Sequence, residues 1–179
     1  GELCGLEWDD INFDLSLLDV QRTSLYLPEK GVFVDETKNS TSRRVLKLTP
    51  DAVQLLKRYR MWQNSERLRI GDQWAEEWEQ HPRLFTTWDG KPLHPSTVTG
   101  WFHTFIERSD LPPISIHSLR HTNATLLIAA GTNVRTVSSH LGHAQTSTTM
   151  NIYSHSIKSA EAAAAEALQS VLTRKKKQA

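Results

Sequence analysis

The stretch His117–Tyr153 reads HSLRHTNATLLIAAGTNVRTVSSHLGHAQTSTTMNIY, and how it is read decides the fold. His117 and Arg120 stand three residues apart at the head of a run with helical spacing, which puts both on one helix face. Leu119, Leu126 and Leu127 are expected inward on this helix, and Gly131 suits its C-terminal cap. Asn133 caps a second helix, with Val134, Val137 and Leu141 inward and Gly142 closing it ahead of His143. Thr146 or Ser147 starts a short last turn that delivers Tyr153. These residue types suit a phosphodiester. Arginine offers a rigid fork of donors that fits two phosphate oxygens. Histidine moves protons near neutral pH. Tyrosine attacks phosphorus once its proton is taken and its oxyanion stabilised. Each piece alone has a plainer reading: His-x-x-Arg is commonly a salt-bridged helix face, and a tyrosine after a turn is usually a packed edge residue. The information lies in the ordered set and its separations.

Upstream of this stretch, His94-Pro95 opens a helix whose apolar stripe is Val98, Trp101, Phe102, Phe105 and Ile106, and Leu111-Pro112-Pro113 ends that segment. Leu84-Phe85-Thr86 reads as a short buried strand and Trp88–Pro92 as a turn. Thr49 caps and Pro50 begins a long helix with Ala52, Leu55, Leu56 and Tyr59 on its apolar face; Gly71 breaks it. Trp74 and Trp78, four apart among acids, suggest a second short helix. Three apolar runs, at Leu17–Val20, Val32–Val34 and Val45–Leu48, predict a three-stranded antiparallel sheet with turns at 28–31 and 39–42. Residues 1–12 read as the end of a buried helix broken near Gly5, with Cys4 a core thiol. Downstream, residues 157–179 are expected to form a tail helix with only a narrow apolar edge at Leu168, Val171 and Leu172, which calls for a groove to stabilise it. The fold class is therefore α+β and mainly helical.

The 179 residues suffice for one ordinary domain. A formal net charge of +1 means that any nucleic-acid binding must rest on local patches, such as Arg174–Lys177. A single cysteine excludes an internal disulfide framework and suits a reducing cytosol. No apolar run approaches the ~20 residues of a membrane span, and no signal peptide is visible.

His117-Ser118-Leu119-Arg120-His121-Thr122, then Leu141-Gly142-His143, then Tyr153, resemble the second motif box of the tyrosine recombinases, the phage integrase family, most of all integrases of phages and conjugative elements. The resemblance covers nearly the whole chain and implies that residues 1–179 are a tyrosine-recombinase catalytic domain. It implies a DNA strand transferase that cleaves and rejoins double-stranded DNA through a 3′-phosphotyrosine. Tyr153 would be the nucleophile and Arg120 would neutralise the nonbridging oxygens. His117 would accept or orient the tyrosine proton, and His143 would hydrogen-bond the phosphate. Lys38, in the turn Thr37–Arg43, resembles the family's β-hairpin lysine and would be general acid for the leaving 5′ oxygen. Gly1-Glu2 match the end of the family's Arg-x-(Gly/Ser)-(Glu/Asp) box, whose arginine would lie two residues before Gly1, so the chain as given is expected to lack it. No cofactor and no metal are implied, because the bond energy stays in the covalent intermediate. The resemblance further implies a homo-oligomer on DNA, a tetrameric synapse in which the tail helix is exchanged with a neighbouring protomer, at the nucleoid in the bacterial cytoplasm. Docking of that helix on its own domain is the plainer alternative.

Three rival readings stand beside this one. His117 and His121, four apart on a helix, have zinc-ligand spacing, but Ser118 occupies the place where His-Glu-x-x-His needs its glutamate. A non-catalytic DNA-binding module could retain the fold. A type IB topoisomerase shares the chemistry on one duplex. If Tyr153 is not the nucleophile, Tyr26 and Tyr59 are the alternatives.

Overall fold

A computed structural model describes residues 1–36, 43–143, 145–154, 157, 162, 164–166 and 169. The chain forms two compact units, Gly1–Pro113 and Ile114–Ala179.

In the first unit a short helix α1 (Glu2–Gly5) leads through Trp8–Asp10, a single 3-10 turn, into strand β1 (Ile11–Asn12). β1 pairs with β2 (Leu17–Val20), and β2 pairs with β5 (Arg44–Lys47), both antiparallel, giving a three-stranded sheet in the order β1-β2-β5. The Val32–Val34 run does not join this sheet. It lies in β4 (Gly31–Glu36), which forms a separate hairpin with β3 (Arg22–Leu27), from Arg22↔Glu36 to Leu27↔Gly31. The cause is local. Gly31 takes φ 70°, and the Lys30 amide closes on the Leu27 carbonyl at 3.1 Å, so β4 turns straight back onto the strand before it.

Thr49 caps α2 (Pro50–Ile70) by accepting the Ala52 amide, and Gly71 ends it. The buried positions of this helix are Val53 and Gln63, while Leu55 is exposed. Instead of a second α-helix, two short 3-10 turns follow, Gly71–Gln73 and Glu76–Glu79; Trp74 is the extended residue after the first and Trp78 lies in the second. Their rings meet edge to face, with centroids 6.0 Å apart, and join Leu6, Trp8, Ile11 and Leu84 in the core of this unit. Leu84 is fully buried, but residues 84–86 form no strand; the segment makes only single bridges, Glu7↔Arg83 and Thr86↔Pro92. α3 (Pro95–Glu107) starts at His94 as expected, yet it buries only Ile106. Trp101 and Phe105 stack on each other while remaining exposed.

Two arginines tie the start of the chain to the sheets. Arg44 grips the Glu2 carboxylate with both guanidinium nitrogens at 2.8 Å. Arg22 reaches Asp10 at 2.6 Å and Glu7 at 2.8 Å.

Among its described residues the second unit has three helices: α4 (Ile116–Ala129), α5 (Val134–Leu141) and α6 (Thr146–Ile152). Its core is Ala124, Ile128, Val137, Leu141 and Tyr153, with Leu127 and Ile157 packed against it. Leu119 and Leu126 are exposed, contrary to the sequence expectation. The inward face of α4 runs instead through Ala124, Leu127 and Ile128, in helical phase with Arg120. Among the described residues no helix is long and apolar enough to cross a membrane. The tail helix expected over 157–179 falls almost wholly outside the described residues, as does Lys38.

Candidate active site

The site grows from the way three helix ends are finished. Ser115 and Ser118 cap α4 reciprocally: Ser115 Oγ accepts the Ser118 amide at 3.1 Å, and Ser118 Oγ accepts the Ser115 amide at 3.2 Å. That start puts His117 in the first turn, where its side chain is exposed. One turn on, Arg120 is half-buried.

α5 ends at Gly142, which adopts the left-handed conformation at φ 70°, ψ 31°. The Gly142 and His143 amides then fold back onto the Ser139 and Ser138 carbonyls, each at 3.0 Å. The Leu141 carbonyl is taken by Arg120, whose Nη2 donates to it. A cation at a helix C-terminus also meets the negative end of the helix dipole. The left-handed glycine thus fixes two site residues together, Arg120 through Leu141 and His143 through the turn itself.

His143 Nδ1 lies 2.8 Å from the hydroxyl of Thr149, a fully buried residue of α6. The Thr149 carbonyl accepts the Tyr153 amide at 3.0 Å, so α6 links the histidine to the tyrosine. Tyr153 is 5% exposed. Its hydroxyl is 2.8 Å from His121 Nδ1, with the two rings tilted and 5.7 Å apart. Burial pushes the Tyr153 phenol above its ordinary pKa, and the Arg120 charge pulls it partly back.

Arg120, His143 and Tyr153 therefore converge within the second unit, each through a named bond. His117 shares the helix but makes no hydrogen bond or ion pair among the described residues. Sequence reading weighs His121 as half of a zinc-ligand pair and as a phosphate or structural contact, but does not place it at the tyrosine. Its signal was present in the spacing: His117 and His121 are four apart and share a helix face. The arrangement offers a guanidinium for anionic oxygens, an imidazole two residues beyond the carbonyl it grips, and a buried phenol in contact with a second imidazole. Among the described residues no three His, Cys, Asp or Glu side chains cluster to hold a metal ion.

Comparison with known proteins gives one consistent likeness. The family described as "Phage integrase family" matches residues 1–160. The chain is 34% identical over 178 residues to a "Tyrosine recombinase XerC-like" protein of Caldanaerobacter subterraneus subsp. tengcongensis, covering 94% of this chain and 45% of that protein. It is 29% identical over 156 residues to the "ICEBs1 integrase" of Bacillus subtilis, covering 87% of this chain and 40% of that one. The chain thus spans less than half the length of these relatives. Among solved structures it resembles the Tn1549 transposon integrase in complex with transposon right end DNA, with a TM-score of 0.74 at 23% identity, over 94% of this chain and 54% of that one. That likeness bears on the fold.

Proposed function

Because this chain belongs to the phage integrase family, we propose that residues 1–179 are the catalytic domain of a site-specific DNA recombinase. Tyr153 attacks the scissile phosphorus, giving a 3′-phosphotyrosine and a free 5′ hydroxyl. The observation that carries this reading is the Tyr153 phenol itself: buried, 2.8 Å from a histidine nitrogen, and under the charge of Arg120. Phosphoryl transfer depends mainly on positioning and charge stabilisation, and both are supplied by groups of this kind. Arg120 neutralises the nonbridging oxygens, His143 hydrogen-bonds the phosphate, and the exposed His117 is available to the same oxygens. Lys38 is the general acid for the 5′ oxygen, a role that rests on the resemblance of its turn alone. No residue here is assigned to the first arginine of the family box. The phosphotyrosine stores the bond energy, so the chemistry calls for no nucleotide cofactor and no metal.

The partner is double-stranded DNA, as in the Tn1549 integrase complexes that share the fold. The working assembly is a homo-oligomer, four protomers in a synapse with tail helices exchanged, at the nucleoid of a bacterial cell. A suicide-substrate assay with the full-length protein tests the central claim. A covalent protein–DNA adduct is expected, and Tyr153→Phe should abolish it. An adduct that survives the substitution moves the nucleophile elsewhere. Relaxation of supercoils without strand exchange points to a topoisomerase. Arg120→Ala should slow adduct formation by about 100- to 1,000-fold.

A further inference from the structure

We propose that His121 is the proton acceptor for Tyr153. The inference deepens the function proposed above and rests on it. As the Tyr153 Oη–phosphorus bond forms and the bond from phosphorus to the 5′ oxygen breaks, the phenol proton passes to His121 Nδ1. The departing 5′ oxygen takes its proton from the general acid. Religation runs the same transfers backwards, the imidazolium returning its proton to the phenolate.

Four observations carry this. His121 Nδ1 already stands 2.8 Å from Tyr153 Oη, within the reach a general base needs. The neighbouring groups are engaged otherwise or differ in kind. Arg120 cannot accept a proton and donates to Leu141, while His143 directs its Nδ1 to Thr149. His117 has no hydrogen bond to Tyr153 among the described residues, although it lies only one turn from His121 on α4. Finally, the phenol is 5% exposed whereas His121 is an exposed residue. A buried hydroxyl has little access to water as a base, and an imidazole that touches it and also meets solvent gives the proton a way out. The tautomer with hydrogen on Nε2 leaves Nδ1 free to accept.

The test is chemical rescue in the full-length protein, read as the rate of adduct formation on a suicide substrate. His121→Gln keeps a carbonyl oxygen that can accept the phenol hydrogen bond but cannot take its proton. It should leave the thermal midpoint and DNA binding unchanged and slow adduct formation about 100-fold or more. His121→Gly should be equally slow and regain rate with added imidazole. Across a series of substituted imidazoles, the rescued rate should rise with their basicity, which a merely space-filling role would not produce. Wild-type rate in His121→Gln would overturn the proposal. So would rescue that ignores basicity, or basicity-dependent rescue of His117→Gly in its place. These outcomes differ from failure of the recombinase reading itself, in which the unsubstituted protein forms no adduct at Tyr153.

Discussion

Gln63 is 2% exposed, and its whole amide is engaged. Its Oε1 accepts the Trp8 indole N–H at 2.7 Å, and its Nε2 donates to the carbonyls of Leu84 at 2.9 Å and Arg83 at 3.2 Å. One residue thereby stitches α2 to both ends of the first unit's core. Gln63→Leu keeps similar bulk but strands a buried indole donor, so it should cost about 1–3 kcal/mol of stability, read as a lower urea midpoint with an unchanged slope. A reader of the sequence has little reason to place a glutamine inside. It stands four residues after Tyr59 and seven after Leu56, in phase with the buried stripe, but phase alone does not say that a polar side chain will find three partners. The partner of His121 is hidden in the sequence for a related reason. The position of His121 on the helix was legible, whereas its contact with Tyr153 depends on how α6 returns against α4, thirty-two residues later.

Helix ends were the most legible elements. Thr49-Pro50, Gly71, His94-Pro95, Gly131, Asn133 and Gly142 all punctuate as read, because capping is settled by residues adjacent in the chain. Strand partners were less so. β3 reads RTSLYL, half polar, and its match to β4 was decided by a left-handed Gly31 rather than by the apolar runs. The inward face of α4 is partly legible: Leu127 packs inward as its spacing predicts, while Leu119 and Leu126 draw attention that belongs to the smaller Ala124. The end of α5 allows a test at this scale. Gly142→Ala forces a side chain into left-handed backbone and should cost about 1 kcal/mol, while Gly142→Asn should cost less. Chemical denaturation measures both. Because Leu141 and His143 flank this turn, adduct formation should slow in the same order.

At the scale of the molecule, the two units share a response to alkali. The Cys4 thiol and the Tyr59 and Tyr153 phenols all have raised pKa values, each mainly through burial. Folding holds these groups in their neutral forms. The unfolded chain ionises first, near pH 8.5 for the thiol and about 10 for the phenols, and so binds fewer protons there. Their contribution to stability is complete below those values and lost as pH rises through the higher folded ones. The urea midpoint should therefore fall progressively above about pH 8.5, and Cys4→Ala should remove the earliest part of that fall.

The bond from Arg120 to the Leu141 carbonyl has a consequence for recognition. Immobilising an arginine side chain costs about 2 kcal/mol of rotamer entropy. Here that cost is met during folding, when the guanidinium is tethered to the blunt end of a helix. Under the proposed function, an incoming phosphate would meet a guanidinium already held by this bond, so less order would remain to be imposed at the moment of contact. A lysine in its place would arrive as a wandering point charge and would still have to be brought to rest.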